Sequence, residues 1–473
     1  MKEIDYIEHR FSVFIAKTET NLDTHLVKEL ITYKDGSSEP NIRLINNFKR
    51  PFYITKDRFR NHKQKKEYEE INKVNSYTSI QSDLPNAIAG KLKMTGYKRN
   101  QYRDVLKSPY LYGSDVPSTV ILSKMYEDKF GLHTTPYTMS TLDIESDVDT
   151  KDITVISSVY KNTIRTAISR TLIKNYKLSG DEWIIKEVRR LYSEHVEEKH
   201  KDKELIITIH DNEVDCIKAI FKFLHERKPD FLAIWNVMFD MPMMTNALVR
   251  AGESPKTIIS DPDIPHELKR YEVKQGPAKK KKADGTVTQI DIQDRWHSFL
   301  TCSSFYIIDA MCAYSHIRAG ASKVIGGYSL DNITLTNLGK GGKLKFEGLV
   351  SDNLSKEDWH RQMSRNHPLH YIVYNMGDNT TMCDLEDKTN DLSVVLPTLA
   401  GHSNFTYFNS GPSKIVDKLY LEILDDGLVL GTKPHINDQN KILGLDKWIV
   451  TLNPTRITKD GSKVLMNRSD KTV

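Results

Sequence analysis

The chain has 473 residues, which is enough for about three domains at roughly 150 residues each. A hydrophobic content of 38% and an aromatic content of 9% exclude a disordered chain, whereas a net charge of +5, from 68 basic and 63 acidic residues, identifies no partner. The four cysteines lie far apart without a CxxC pair, which argues against a zinc ribbon or a disulfide framework and favours a reducing compartment.

The first part of the chain, residues 1 to about 135, contains short strand-like segments, turns and some helix, and predicts an α+β N-terminal domain. Its first residues, MKEIDYIEHRF, contain no apolar signal core, and no apolar run of the chain approaches the length of a membrane span. We therefore expect a soluble cytoplasmic protein with no membrane partner. Two stretches, RFRNHKQKK (58–66) and KLKMTGYKRNQYR (91–103), mix basic and aromatic residues, which suits either a phosphate-binding surface or solvated loops.

From residue 136 to about 390 the pattern becomes α/β. TMSTLDIES (138–146) alternates between apolar and acidic residues, as a half-buried strand does. Apolar runs at 205–210, 230–236 and 305–311 predict further strands, and the segments 212–227 and 370–387 predict helices. These elements predict a second domain over residues 136–390.

Two segments fall outside this alternation. GPAKKKKADG (276–285) joins two alternating stretches and predicts a projecting β-hairpin near residues 270–292. Whether Lys279–Lys282 at its tip contact DNA or only keep a loop soluble stays open. From 391 to 473 the composition returns to that of the N-terminal part, with short apolar runs.

The stretch TLDIESDVDT (141–150) carries an acid at every second position from Asp143 onward. An EF-hand calcium loop beginning at Asp143 requires Gly at its sixth position and Glu at its twelfth. The sequence has Val148 and Thr154 there, which excludes such a loop.

The four acids of this stretch then divide into two pairs. Asp143 and Glu145 project from one face of a strand, where two carboxylates repel each other unless a cation lies between them. Asp147 and Asp149 follow the strand and predict a solvated exit turn.

A third acid, Asp240, lies in the apolar stretch WNVMFDMPMM (235–244). A carboxylate in such surroundings requires a compensating partner, while Asp before Met-Pro also suits a helix N-cap, and the two roles are compatible. Asn236 either holds the loop or donates to a substrate oxygen.

A fourth acid, Asp378, ends the stretch YNMGD in the predicted helix 370–387. Tyr374 and Asp378 are four residues apart and share a helix face, either as a functional pair or as a surface pair. Asp384 lies six positions further on and points to another face of the same helix.

These motifs occur in the order D-x-E, N-x-x-F-D and Y-x-x-x-D. This order resembles the proofreading 3′→5′ exonuclease domain of family B DNA polymerases, of the DEDD type with tyrosine, and most of all the polymerases of large tailed phages. The segments 212–236 and 326–343 are also similar to this family. The resemblance is strong from 136 to 390, weaker from 1 to 135 and poor after 390. It implies a ribonuclease H-like domain, in which helices flank a mixed central sheet.

The resemblance also implies a two-metal hydrolysis of 3′-terminal phosphodiesters with Mg²⁺ or Mn²⁺, which prefer carboxylate oxygens. The residues that would hold the metals are Asp143, Glu145, Asp240 and Asp378. Tyr374 would orient the attacking water. Asn236 and Phe239 would shape the pocket for an unpaired 3′ end.

The polymerase motifs D-x-x-S-L-Y-P, K-x-x-x-N-S-x-Y-G and D-T-D do not occur in the sequence. We therefore expect the proofreading part of a split polymerase. Its partners would be a DNA primer-template and a second chain with palm, fingers and thumb, through which a sliding clamp is reached. Residues 391–473 would return to the N-terminal domain and face the missing palm. The alternatives are a fragment of a longer polymerase and a non-catalytic DNA-binding or assembly subunit. A phage origin would place the protein in the host cytoplasm.

Overall fold

In a computed structural model of the chain, the described residues are 2–94, 96, 101–176, 178–281, 285–292, 295–318, 327–339, 341, 344, 346, 348–351, 354–392, 411–433, 455–457 and 463–465. Their strands are β1 (Ile4–Ile15), β2 (Thr24–Tyr33), β3 (Ser38–Asn46), β4 (Arg50–Thr55), β5 (Tyr68–Glu70), β6 (Val74–Ser79), β7 (Leu111–Tyr112), β8 (Met139–Ser146), β9 (Ile153–Tyr160), β10 (Thr163–Ser169), β11 (Glu204–His210), β12 (Phe231–Ile234), β13 (Tyr271–Lys274), β14 (Lys279–Lys281), β15 (Val287–Gln289), β16 (Ser298–Thr301), β17 (Tyr306–Asp309), β18 (Leu428–Leu430), β19 (Thr455–Ile457) and β20 (Lys463–Leu465).

The α-helices are α1 (Leu84–Lys91), α2 (Tyr102–Val105), α3 (Ser118–Phe130), α4 (Asp181–His195), α5 (Glu213–Arg227), α6 (Val237–Arg250), α7 (Pro255–Ile259), α8 (Ala310–Arg318), α9 (Leu330–Leu338), α10 (Lys356–Asn366), α11 (Pro368–Thr389) and α12 (Gly411–Asp425). Among these described helices, none combines the length and apolar character needed to cross a membrane.

The central feature is a six-stranded sheet with the order β11-β10-β9-β8-β12-β17. Strands β8, β12 and β17 are parallel to one another, and β9 is antiparallel to both of its neighbours. The edge strand β11 runs parallel to β10. The predicted α/β class is therefore confirmed as a mixed sheet flanked by helices.

Helices cover both faces of this sheet, and the central strand β9 is buried on both sides as a result. On β9, Ile156 packs in the core that contains α5 and α6, whereas Val155 and Val159 pack in the core that contains α4 and α11. The strand therefore contributes to two cores and lacks the polar alternation that would have revealed it in the sequence.

Local signals set the ends of the two predicted helices. The side chain of Asn212 caps α5 by accepting a hydrogen bond from the Asp215 amide, and Lys228 ends the helix in the left-handed conformation just before Pro229. Helix α11 begins with Pro368 at its first turn and ends at left-handed Asn390. Both helices and the four strands predicted at 138–146, 205–210, 230–236 and 305–311 are confirmed, with boundaries shifted by one or a few residues.

The N-terminal strands β1, β2 and β3 form an antiparallel sheet. Phe11, Val13 and Leu26 from this sheet pack in the same core as Phe231 and Ala233 of β12. This packing covers the central sheet near its edge, at strands β12 and β17.

Two buried cations reinforce this packing. Arg10 is 1% exposed and donates to both carboxylate oxygens of Asp230, at 3.3 and 2.9 Å. Lys28 donates to the carbonyl oxygens of Lys228 and Ser304 at 2.6 and 3.0 Å. The N-terminal sheet is thus fixed to the residues that immediately precede β12 and β17.

The chain divides into two compact units that differ from the predicted domains. The first contains residues 1–46 and 122–414, and the second contains residues 47–121 and 415–473. Strands β1–β3 thus belong to the first unit, where they share a core with β12. Within the second unit, β18 pairs with β5, but most of the predicted return segment 391–473 lies outside the described residues.

A β-hairpin occupies the predicted insertion. Strands β14 and β15 pair antiparallel, with Lys279 opposite Gln289 and Lys281 opposite Val287. Lys279 and Lys281 are exposed, while Lys282 lies outside the described residues.

Replacement of Arg10 by Ala is expected to destabilise the first unit by about 3–5 kcal/mol, because it leaves the buried Asp230 carboxylate without its cationic partner. Urea denaturation followed by circular dichroism measures this loss. Arg190→Ala is the matched control: Arg190 is half exposed and pairs with Glu187 and Glu194 on its own helix, so little change is expected. Equal stability of the two variants would contradict the role of Arg10 in fixing the N-terminal sheet to the residues before β12.

Candidate metal centre

Two of the candidate ligands lie at the carboxyl end of β8, near the middle of the central sheet. Asp143 is half-buried, and Glu145 is only 8% exposed. Their neighbours Leu142 and Ile144 are buried in the core that contains α5 and α6. The alternation predicted from TLDIES is therefore confirmed, with both carboxylates on the face opposite this core.

Helix α11 brings Asp378 to the same place. One carboxylate oxygen each from Asp143, Glu145 and Asp378 lies within 4.8 Å of the others. Three negative charges at this separation in a mostly buried place repel strongly unless a cation neutralises them. The group therefore forms a site that can hold a metal ion, although its geometry does not identify the metal.

Asp240 lies beside this group without belonging to it. Its carboxylate accepts a hydrogen bond from the backbone amide of Ile144 at 3.2 Å, so it contacts β8 between Asp143 and Glu145. The side chain is 3% exposed, and burial raises its pKa to about 8, with the charge of Glu145 adding to the effect.

The predicted N-cap role of Asp240 is wrong. Helix α6 begins at Val237 with Asn236 as its N-cap residue, so Asp240 lies in the first helical turn and Pro242 lies inside the helix. A proline in the interior removes one backbone donor, yet the helix continues through it because Met241 and Met244 are completely buried. The sequence signal for a helix start was thus overridden by packing.

Asn236 and Phe239 lie at the exposed start of α6. The Asn236 side chain makes no capping hydrogen bond, and the ring of Phe239 is 47% exposed. An exposed aromatic ring one residue before a buried acid offers a surface on which a base can stack.

Tyr374 lies one helical turn before Asp378 and is 3% exposed. Burial, together with the charges of Asp378 and Glu145, raises its pKa well above the ordinary value. The phenol therefore stays protonated at neutral pH. Its ring stacks on that of Tyr371, with centroids 6.0 Å apart and planes 6° apart.

The structure adds two residues of α11 that the motifs did not single out. The Tyr371 hydroxyl donates to Glu145 Oε2 at 2.6 Å, and Asn375 Nδ2 donates to Asp143 Oδ2 at 2.7 Å. Together with Asp378 these residues are spaced four and three positions apart, which places them on one helix face. That spacing was visible in the sequence, but the identity of the acceptors was not.

The exit turn after β8 is confirmed for Asp147, whose carboxylate accepts hydrogen bonds from the amides of Asp149 and Thr150. Asp149, predicted as a solvated turn residue, also forms ion pairs. It pairs with Arg361, at 3.1 Å, and with Arg365, both on α10. Asp149 therefore joins the end of β8 to a helix that packs beside the acidic group.

Asp384 is separate from the metal centre, as its helix face predicted. Its carboxylate pairs with Lys199 at 2.5 Å.

No protein-family model matches the chain, and no curated protein matches it at a significant level.

We expect the stability of the metal-free protein to fall as the pH rises from about 4 to about 8, by up to about 1.4 kcal/mol per pH unit through Asp240. The folded pKa of this carboxyl lies near 8, above its ordinary value of 3.8. Between these values the folded state binds the additional proton, so raising the pH favours unfolding. Urea denaturation in EDTA at several pH values measures the slope. Asp240→Asn should flatten it, and an unchanged slope in that variant would contradict the assignment.

Proposed function

We propose that the chain is a metal-dependent 3′→5′ DNA exonuclease that serves as the proofreading part of a split family B DNA polymerase. The observation that carries this proposal is the convergence of Asp143, Glu145 and Asp378, with Asp240 against the same strand. Sequence motifs far apart in the chain were expected to meet in such an arrangement. The mixed sheet flanked by helices agrees with the ribonuclease H-like fold that the resemblance implies.

The donor set fits Mg²⁺ or Mn²⁺. Both are hard cations that prefer carboxylate oxygens, and no sulfur or imidazole belongs to the group of three. Two observations agree with a cation in this place: the raised pKa of the buried Asp240, and the buried Oδ1 of Asn375, for which the described part of the chain supplies no hydrogen-bond donor. Asp143, Glu145, Asp240 and Asp378 would hold the metals.

In the proposed reaction, metals held by Asp143, Glu145, Asp240 and Asp378 would supply charge stabilisation for the attacking and leaving oxygens of the phosphodiester. The residues of the chain do the rest. Tyr374 keeps its proton at neutral pH, so it orients a water by hydrogen bonding and does not act as a base. Phe239 stacks on the terminal base, and Asn236 donates to a substrate oxygen. The product is a nucleoside monophosphate.

The proposed partners are a single-stranded 3′ end of DNA and a second chain that carries the polymerase active site. A non-catalytic DNA-binding or assembly subunit is the rival function. Such a subunit has no need for four acids around β8, and loss of metal ligands would be expected in it.

Asp378→Asn is expected to reduce degradation of 5′-labelled single-stranded DNA in Mg²⁺ by at least about 100-fold, because the metals supply several kcal/mol of transition-state stabilisation. Gel electrophoresis of the products measures both rate and direction. Asp387→Asn is the matched control, since Asp387 lies on the same helix but is exposed, and it should retain the native rate.

Two results would count against the enzyme. Intact DNA ends after incubation with native protein in Mg²⁺ or Mn²⁺, alone and with its polymerase partner, would favour the non-catalytic subunit. Equal activity of Asp378→Asn and native protein would place the activity elsewhere.

A further inference from the structure

The hydroxyl of Tyr371 lies between a candidate metal ligand and a histidine. It is 2.6 Å from Glu145 Oε2 and 2.8 Å from Nδ1 of His360, which itself is 3.4 Å from the same Glu145 oxygen. Tyr371 is completely buried. Neither Tyr371 nor His360 belongs to the sequence motifs of the site or to the group of three acids.

Donor and acceptor chemistry fixes the direction of the two hydrogen bonds that the Tyr371 hydroxyl makes. A carboxylate that binds metal is ionised and can only accept hydrogen bonds, so the Tyr371 hydroxyl donates its one proton to Glu145. The Tyr371 oxygen can then only accept from His360. The Nδ1 atom of His360 therefore carries a hydrogen. His360 donates to Tyr371, and Tyr371 donates to Glu145.

His360 is itself held in place by α10. The side chain of Ser355 caps this helix by accepting from the Asp358 amide at 3.1 Å. Arg361 and Arg365 attach the same helix to Asp149, in the turn that follows Glu145. Strand β8 thus contacts α10 both at a candidate metal ligand and at its exit turn.

We propose that Tyr371, held by His360, is a positioning residue that fixes the Glu145 carboxylate for metal binding, an inference that rests on the proposed function. A carboxylate rotates freely about its terminal torsion unless hydrogen bonds hold it. Removal of an outer hydrogen-bond partner of a metal ligand typically weakens metal binding by about 10- to 100-fold. Asn375 makes the corresponding contact to Asp143.

The test is the affinity of the full chain for Mn²⁺ in the absence of DNA, measured from the electron paramagnetic resonance signal of free Mn²⁺. Tyr371→Phe should weaken binding by about 10-fold or more. His360→Ala should act in the same direction. His360→Asn should restore much of the affinity, because the amide nitrogen of Asn offers a donor close to the position of Nδ1.

Tyr192→Phe provides the matched control. Tyr192 is also a buried tyrosine of the first unit, and its hydroxyl donates to the carbonyl oxygen of His200 at 3.2 Å. Its replacement removes one hydroxyl without altering a contact to the acids, so Mn²⁺ affinity should stay at the native value.

Each result decides between the proposals. Equal Mn²⁺ affinity of native protein and Tyr371→Phe would overturn the positioning role while leaving the metal site intact. Native protein that binds no Mn²⁺ would overturn both this inference and the metal site. If Tyr371→Phe lacks a cooperative urea transition, the His360 variants decide. Equal Mn²⁺ affinities of His360→Ala and His360→Asn would overturn the positioning role.

Discussion

The acidic group at the carboxyl end of β8 is the constraint on which the site depends. Asp143, Glu145 and Asp378 bring like charges within 4.8 Å of one another at a place with little solvent. Such an arrangement opposes folding unless donors and cations compensate it. The chain itself supplies hydrogen bonds from Tyr371 and Asn375. A bound cation would supply the remainder, so metal binding and stability of this region are expected to be linked.

Helix α11 supplies a ligand and the donors that orient the other ligands. It is buried along most of its length, which fixes its rotation relative to the sheet. Gly377, next to Asp378, permits close packing, since a Cβ atom there would lie 2.7 Å from Leu344 Cδ1. A side chain at this position would displace either Leu344 or the helix. The position of Asp378 therefore depends on the packing of α11 against Leu344 as well as on the acids themselves.

How much the sequence predicted depended on whether a residue's role follows from its near neighbours. Asp143 and Glu145 could be predicted because they interrupt an apolar alternation, whereas Asp378 gained its predicted role only from the order of the three motifs along the chain. Asp240 was recognised as an acid in apolar surroundings, but its helical position was not, because buried methionines carry α6 through Pro242. His360 carried no local signal, since its role arises only where α10 meets α11.

The packing of the N-terminal sheet was equally hidden in its own segment, because this sheet contacts residues far along the chain. Arg10 and Asp230 are 220 positions apart. On a ribosome that adds about 5–20 residues per second, roughly 10–40 s separate the synthesis of the two partners. Throughout that interval Phe11, Val13 and Leu26 lack the surface that later covers them. The long sequence separation between the N-terminal sheet and its packing partners thus creates a period in which the nascent chain can aggregate.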